Sequence, residues 1–337
     1  MAGSGAETAA GLPGEFTVIR RYFAPLAKGM PGALDLTDDA CTWQPAAGEE
    51  VVLTVDALVA GIHFLRSDPA DLVARKMLRV NLSDLAAKGA KPVGYLMTVA
   101  VDASVDEAWI ADFAQGLAQD QKLFDIHLMG GDTVKTPGPL SLSLTAIGTV
   151  PAGQALRRKG AKPGDLVFVT GTIGDGYLGL QALHGRLADI SWDHRTFLAG
   201  RYQLPEPRVA FGQELRRRAL ASAAMDVSDG LIADLGHLAE ASGCGAILCS
   251  DQVPLSDAAA GLVAENPDLM MALLAGGDDY EILFTATADR RGEIEALGQS
   301  LQLAVTEIGT CVTGAEVAVT DRDGNIIPLT HKGYSHF

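Results

Sequence analysis

The sequence predicts a protein of the α/β or α+β class with two domains. The chain has 337 residues, of which 48% are hydrophobic, and this is long for one core and sufficient for two. Strand-like and helix-like segments alternate along it, as in proteins that pack helices on sheets. A stretch rich in glycine, proline and basic residues at 151–165 interrupts the alternation. We therefore expect domains at 14–150 and 151–337, preceded by a flexible, Gly-rich terminus at 1–13.

The elements of the first half follow from residue patterns. β-Branched residues at 51–59 predict a strand. The next element is a helix, because Asp68 can cap it, Pro69 suits its first turn and Gly89 can end it. Three further elements are a strand at 94–101, an amphipathic helix at 106–124 and an alternating strand at 140–150.

The second half begins with a strand, LVFVTG, that runs into a Gly-rich turn. Helical periodicity then recurs in four segments, at 206–220, 230–242, 256–274 and 289–300. Two short strands near the end, VAVT and NIIPL, flank Arg322, Asp323 and Gly324, and these three residues predict a hairpin turn.

The composition argues against several classes of function. A net charge of −16 disfavours nucleic acids and anionic membranes as partners, because like charges repel. No apolar run reaches the ~18 residues of a membrane span, no signal peptide is recognisable, and the four cysteines lack zinc-site spacing. We expect a cytoplasmic protein with reduced thiols. The surplus of carboxylates fits either a solvated acidic surface or metal ligation.

Asp84 is the most informative of these carboxylates. With Val73, Met77 and Val80 it shares one stripe of the predicted helix. A carboxylate buried alone there would be costly, so it would need a cation or strong hydrogen-bond donors. The alternative is that Asp84 lies at the solvated end of the helix, since Lys88 follows.

Other aspartates follow strand-like or apolar segments. Thr54 and Asp56 point to the same side of a strand because side chains alternate, and their hydroxyl and carboxylate oxygens suit Mg²⁺. Asp39 and Asp132 have similar settings, in TDDA and at the end of HLMGGD. Each of these aspartates could instead be an ordinary turn or capping residue, so the metal interpretation depends on their number.

The second half adds two polar motifs. In MDVSDGLIADL, Ser228 is a suitable N-cap for the following helix, and a helix N-terminus favours phosphate. Capping can explain Ser228 and Asp229, but it does not explain Asp226. In AGGDDYEIL, a glycine pair precedes Asp278 and Asp279 and permits close approach of a ligand.

The common phosphate-binding loops do not occur in the sequence. It has no GxxxxGK[ST], and 171–176 (GTIGDG) departs from GxGxxG. It also lacks GxSxG and HExxH. Basic residues are concentrated at 157–162, either as phosphate donors or as an exposed linker. ATP chemistry would therefore need a scaffold held together by metal ions.

Taken in order, these segments resemble the thiamine-monophosphate kinases from residue 14 to residue 337. The matching segments are GEFTVIRRYF, TDDA, LTVDALVAGIHF, VNLSDLAAKGAKP, LMGGDT, RRKGAKPGD, AMDVSDGLIADLGHL, GGDDYE and KGYSHF. VNLSDLAAKGA and AMDVSDGL are specific individually, and their occurrence in this order strengthens the resemblance.

The resemblance implies the two-domain aminoimidazole-ribonucleotide synthetase-like fold. Its N-terminal α/β domain has a sheet that pairs with a second subunit in a homodimer, and its C-terminal domain is α+β. The resemblance also implies direct, in-line transfer of the γ-phosphoryl group of ATP to thiamine monophosphate, giving thiamine diphosphate. Several Mg²⁺ ions would align the two phosphate-bearing substrates, and no covalent catalytic residue is expected.

By matching position, the resemblance implies roles for individual residues. The implied Mg²⁺ ligands are Asp39, Thr54, Asp56, Asp84, Asp132, Asp226 and Asp229. The implied ATP contacts are Gly131, Asp132, Arg158 and Ser228. The implied substrate contacts are His63, Asp278 and His331.

Four positions depart from the family pattern: Thr37 (usually Gly), Val55 (usually Thr), Asp278 (usually Glu) and His331 (usually Trp). Histidine in place of tryptophan weakens the stacking expected on a thiamine ring. Two alternatives to the kinase stay open. One is another ATP-using enzyme of the superfamily, similar to aminoimidazole-ribonucleotide synthetase, and the other is a degenerate nucleotide-binding regulatory protein.

Overall fold

The structure, a computed structural model, describes residues 12–187, 190–329 and 333. This part of the chain forms ten α-helices, five short 3₁₀ or π helices and eleven strands. The helices are α1 (Glu15–Val18), α2 (Ala70–Ala87), α3 (Glu107–Phe124), α4 (Asp175–Leu183), α5 (Trp192–Gln203), α6 (Val209–Arg217), α7 (Leu231–Ser242), α8 (Asp257–Glu265), α9 (Leu269–Ala275) and α10 (Arg291–Ser300). The strands are β1 (Glu49–Val59), β2 (Lys91–Val101), β3 (His127–Lys135), β4 (Ser141–Pro151), β5 (Leu166–Thr170), β6 (Ala223–Asp226), β7 (Gly245–Cys249), β8 (Ile282–Ala286), β9 (Val305–Val312), β10 (Val317–Thr320) and β11 (Ile326–Ile327). None of these described helices is long and apolar enough to span a bilayer.

The chain divides into two compact units that are interleaved in sequence. The first contains Met1–Gln44, Val55–Leu78 and Val93–Ala146, and the second contains Pro45–Thr54, Arg79–Pro92 and Ile147–Phe337. Each unit thus combines three stretches of chain. The domain boundary expected at 150/151 stays a prediction.

A four-stranded sheet has the order β1-β4-β2-β3. Strands β2 and β3 are parallel, with Met97 opposite Gly131 and Thr98 opposite Asp132. A Cβ atom at position 131 would lie 2.0 Å from the Met97 carbonyl oxygen, so only glycine permits this approach. The register therefore fixes the backbone from which the Asp132 side chain extends.

Strand β1 exposes apolar residues on one side. Val51, Leu53 and Val55 are 41%, 64% and 60% exposed, whereas Thr54 and Asp56 are half-buried. This alternation has the period of two expected of a strand. The prediction that Thr54 and Asp56 share one side is confirmed, and the other side is an apolar stripe on an edge strand.

A seven-stranded sheet has the order β11-β10-β7-β9-β5-β8-β6. Helix α7 packs against β6 and β7, and its Leu231 and Leu235 are fully buried in the core beneath the sheet. Strands β6 and β8 are antiparallel, with Asp226 opposite Ile282. The two acidic motifs of the second half therefore begin at the ends of paired neighbouring strands.

The predicted strands at 51–59, 94–101 and 140–150 are confirmed, whereas two details of the second half are wrong. The segment 256–274 forms two helices, α8 and α9, because a proline at 267 disfavours helical backbone in the residue before it. Ser228 is not the N-cap of α7, because Gly230 precedes that helix, and no side chain of the described residues caps it.

Candidate active site

Thr54 and Asp84 meet at the last turn of helix α2. The Thr54 hydroxyl donates a hydrogen bond to Oδ2 of Asp84. Asp84 is half-buried, whereas Met77 and Val80 of the same stripe are fully or almost fully buried. The carboxylate therefore lies at the margin of the core, where it accepts a hydrogen bond from a hydroxyl group.

Asp226 is the second carboxylate of this group. It is 4% exposed at the end of β6 and accepts a hydrogen bond from the Ser83 hydroxyl at 2.7 Å. Burial raises the pKa of Asp226 to about 7, and the negative charge of Asp84 contributes to the rise. Because Ser83 and Asp84 are consecutive on α2, this helix brings the two carboxylates to one place.

Two basic residues, Lys88 and Arg158, interact electrostatically around the carboxylates of Asp84 and Asp226. Burial lowers the pKa of the Lys88 ammonium, and the charges of Asp226 and Asp84 oppose this effect. The charge of Arg158 lowers the pKa of Lys88 further. Lys88 follows Asp84 by one helical turn, and Arg158 is exposed. The carboxylates are thus accompanied by cations that can bind phosphate oxygens.

The turn between β6 and α7 carries Ser228 and Asp229. Its last residue, Gly230, has φ 122° and ψ 144°, and a Cβ atom there would lie 2.6 Å from the Ala275 carbonyl oxygen. The backbone N–H groups of Ser228 and Asp229 donate to the same oxygen, Oδ2 of Asp234, at 3.0 and 3.1 Å. Burial raises the pKa of Asp234 to about 7, and the charge of Asp229 adds to it.

The segment that carries Asp278 is hydrogen-bonded directly to this turn. The Asp278 N–H donates to the Ser228 carbonyl at 2.9 Å, and the Tyr280 N–H donates to the Val227 carbonyl at 2.8 Å. In return, the Val227 N–H donates to the Glu281 carbonyl at 2.8 Å. Asp278 has φ 71°, a value that is uncommon outside glycine and clusters at functional sites. The backbone therefore joins a residue implied to contact ATP to one implied to contact the acceptor.

Two buried acids, Asp279 and Glu281, anchor the segment that follows Asp278 through hydrogen bonds. Asp279 is 2% exposed and accepts the N–H groups of Gly174 and Gly176 at 2.8 and 3.0 Å. Burial raises the pKa of Asp279 to about 8. The fully buried Glu281 accepts hydrogen bonds from three side chains. These donors are Thr170, Arg201 and Arg208.

In the first unit, Asp39, Gly131 and Asp132 line one cavity of ≈ 220 Å³. Its walls are partly apolar, with Phe16 and Met129 among the lining residues. Both aspartates are exposed. Such a lining suits a ligand that combines an apolar ring with anionic groups bound through cations.

Asp56 and His63 also belong to the first unit, but they are not among the described residues that line this cavity. Asp56 is half-buried on β1. Nδ1 of His63 accepts the Val59 N–H at 3.1 Å, so the neutral ring carries its proton on Nε2. His331, the third implied substrate contact, lies outside the described residues.

The oxygen ligands of Asp84 and Asp226 are suited to Mg²⁺. Within the described ranges, no three acidic, histidine or cysteine side chains form a complete metal site by themselves. Proteins commonly hold Mg²⁺ through only one or two carboxylates, while waters and substrate phosphates complete the shell. The mutual repulsion that helps to raise the pKa of Asp226 would be relieved by a divalent cation.

Lys88 and Asp234 were not predicted from the sequence as members of the candidate site around Asp84 and Asp226. Asp234 shares its stripe of α7 with Leu231 and Leu238, which are fully buried. An acid on an apolar stripe is the same signal that identified Asp84, so Asp234 could have been found in this way. Lys88 carried no comparable signal.

Comparison with family models defines the class of protein. The model "AIR synthase related protein, N-terminal domain" matches residues 37–150, and "AIR synthase related protein, C-terminal domain" matches 162–321. These matches and the two sheets place the chain in the AIR synthase-related class.

Individual relatives narrow the class to one family. The thiamine-monophosphate kinase of Caulobacter vibrioides is 43% identical over 334 residues, which is 98% of this chain and 93% of that protein. The crystal structure of thiamine-monophosphate kinase from Stenotrophomonas maltophilia K279a has a TM-score of 0.81 and 40% identity, covering 91% of this chain and 98% of that one. AaThiL, complexed with AMPPCP and TMP, has a TM-score of 0.76 and 30% identity, covering 89% and 91%. The chain belongs to the thiamine-monophosphate kinase family.

Proposed function

We propose that this protein transfers the γ-phosphoryl group of ATP to thiamine monophosphate, forming thiamine diphosphate and ADP. The observation that carries the proposal is the pairing of Asp84 with the buried Asp226, next to the turn of Ser228 and Asp229, in a chain of this family. This place offers oxygen ligands for a cation and donors for phosphates. The complex of AaThiL with AMPPCP and TMP supports ATP as the phosphoryl donor.

Mg²⁺ would be held by the oxygen ligands that the sequence identified. In the second unit these are Thr54, Asp84, Asp226 and Asp229, and in the first they are Asp39, Asp56 and Asp132. Bound Mg²⁺ supplies neutralisation of the phosphate charges and alignment of donor and acceptor. ATP would be contacted by Gly131, Asp132, Arg158 and Ser228, and the acceptor by His63, Asp278 and His331.

The protein's own contribution to the transfer is positioning. Direct in-line transfer needs no covalent intermediate on the chain. The acceptor phosphate is largely ionised near neutral pH, because its second pKa is about 6, so no general base is required. Arg158 and Lys88 offset negative charge beside the carboxylates. Asp278 would contact the acceptor with a side chain that is one methylene shorter than the usual glutamate. Its backbone is held by the hydrogen bond to the Ser228 carbonyl.

A coupled assay tests this function. ADP release is followed with thiamine monophosphate as acceptor, and thiamine diphosphate is separated by chromatography. We expect equal amounts of both products, dependence on Mg²⁺ and no reaction after EDTA. Thiamine, which lacks the phosphate, is the matched acceptor control. Tight ATP binding without thiamine diphosphate would favour the regulatory alternative, and ATP consumption only with an aminoimidazole-ribonucleotide synthetase substrate would favour the other enzyme.

A homodimer is part of the same proposal, and the stripe of Val51, Leu53 and Val55 supports it. An apolar side of an edge strand left in solvent invites unspecific pairing, and a second copy of the chain would cover it. Light scattering should give twice the mass of one chain, and Leu53→Lys should shift the protein toward the monomer. A wild-type monomer at micromolar concentration would contradict this.

A cytoplasmic location without nucleic-acid or membrane partners completes the proposal. The net charge of −16 supports it, because phosphate backbones and anionic lipids repel such a surface. Cell fractionation and a nucleic-acid binding assay check both points.

A further inference from the structure

We infer that Asp234 is a positioning residue for the proposed phosphoryl transfer, because it holds the turn that presents Ser228 and Asp229. The inference depends on the proposed function. Asp234 lies in the first turn of α7 and is 2% exposed. Its carboxylate is therefore shielded from solvent, and it accepts two hydrogen bonds from that turn.

The geometry of these bonds restricts the turn strongly. A single oxygen, Oδ2, accepts the N–H groups of two successive residues, Ser228 at 3.0 Å and Asp229 at 3.1 Å. Both peptide planes must point toward one atom, so neither can rotate independently. From the opposite direction, the Ser228 carbonyl accepts the Asp278 N–H at 2.9 Å. The backbone of Ser228 is thereby held through both of its polar groups.

The turn is also packed closely against its neighbours. The Gly230 position contacts the Ala275 carbonyl so closely that a Cβ atom would lie at 2.6 Å, and a Cβ atom on Gly277 would lie 2.3 Å from the Ser228 carbonyl oxygen. Once Asp234 has aligned the two amides, the side chains of Ser228 and Asp229 leave the backbone in fixed directions. Fixed directions are what a metal ligand and a phosphate contact need.

A simpler role for Asp234 would be to stabilise the start of α7. An acid in a first helical turn often bonds preceding N–H groups and improves helix stability without any effect on function. The two roles differ in what they require. Positioning requires an acceptor oxygen at this distance, whereas the favourable charge at a helix N-terminus requires the negative charge.

Two variants separate these requirements. Asp234→Asn keeps an acceptor oxygen at the same distance and removes the charge, and Asp234→Glu keeps the charge and displaces the oxygen by a methylene. We expect Asp234→Asn to keep the KM for Mg·ATP within about threefold of wild type and Asp234→Glu to raise it at least tenfold, with a smaller change in kcat. Backbone amide exchange in the apo protein should accelerate at 228–229 in Asp234→Glu only.

Asp106→Ala is the matched control, because Asp106 accepts the Trp109 N–H at 2.8 Å at the start of α3 and has no proposed role in the site. It should lower Tm without changing the KM for Mg·ATP. The opposite order of the two Asp234 variants, or amide exchange at 228–229 that is equal in all proteins, would overturn the inference. If wild type forms no thiamine diphosphate, the proposed function fails, while amide exchange and the affinity for Mg·AMPPCP still decide the role of Asp234.

Discussion

Replacing Asp84 by asparagine should separate metal binding from folding. The variant removes one negative charge and keeps an oxygen that can accept the Thr54 hydroxyl. That hydrogen bond is worth about 1 kcal/mol in a folded protein, so most of it is retained. The charge of Asp84 also helps to raise the pKa of Asp226, and its loss removes this repulsion. We therefore expect a free energy of unfolding within about 1 kcal/mol of wild type.

Turnover should respond very differently. A carboxylate that holds a cation against the transferred phosphoryl group acts where charge develops, and loss of one such electrostatic contact typically costs about 10²–10³ in kcat. The concentration of Mg²⁺ needed for half-maximal rate should rise as well. ADP release with thiamine monophosphate, measured over a range of Mg²⁺ concentrations, gives both quantities. Urea unfolding of the metal-free protein gives the stability.

Asp112→Asn is the control for this experiment, because Asp112 is an exposed acid on helix α3 with no proposed role. It should leave turnover, Mg²⁺ dependence and stability unchanged. An Asp84→Asn enzyme with kcat close to wild type at saturating Mg²⁺ would remove Asp84 from the ligand set. A variant that no longer folds would refute the view that Asp84 lies at the margin of the core.

Three further changes test other parts of the structure. Glu281→Gln should lower the free energy of unfolding by ~3 kcal/mol in urea titrations, because the fully buried carboxylate neutralises Arg201 and Arg208. A loss below about 1 kcal/mol would show that the charge of Glu281 is dispensable. Gly230→Ala should lower the free energy of unfolding by about 1–3 kcal/mol, because φ 122° is unfavourable for alanine and its Cβ would lie 2.6 Å from the Ala275 carbonyl oxygen. Thermal unfolding measures this, and an unchanged Tm would contradict it. The pKa of Asp279 is raised from 3.8 to about 8 in the folded protein, so the folded state keeps a proton that the unfolded chain releases. The stability that this proton contributes is complete below pH ~4 and is lost as the pH rises through about 8. Asp279→Asn cannot titrate, so its free energy of unfolding should fall less steeply than wild type between about pH 5 and about pH 9; equal slopes in urea titrations at several pH values would exclude Asp279 as the source.

Most long elements of the first half could be predicted from the sequence because they carry clear signals, although strand β3 was missed. Strand β1 alternates, and α3 has both helical periodicity and an N-cap, Asp106. The second half is harder because β6 and β8 are buried along their whole length. A strand buried on both faces shows no alternation, and its short apolar run resembles a buried helix. These two strands support the acidic motifs, and both were missed.

The sequence indicated residue types for the candidate site but not the contacts between them. The apolar stripe of α2 indicated Asp84, strand alternation indicated Thr54 and Asp56, and the family resemblance implied the roles of the set. The bond from Ser83 to Asp226 joins residues 143 positions apart, and no local pattern reports such a contact. The assignment of Ser228 as a cap failed for a related reason. The Ser228 N–H donates to Asp234 and its carbonyl accepts from Asp278. The helix starts after Gly230 instead.

The main-chain bonds between 227–228 and 278–281 limit how this scaffold can be re-engineered for other acceptors. Inserting or deleting one residue in either segment would shift these hydrogen bonds, so that Asp278 and Tyr280 would no longer lie opposite Ser228 and Val227. Replacing the side chain at position 278 leaves these backbone hydrogen bonds intact. Grafting a loop of different length would break them and displace the turn that carries Ser228 and Asp229. Laboratory libraries aimed at new acceptors should therefore vary residue identity at constant loop length, or exchange both segments as one unit.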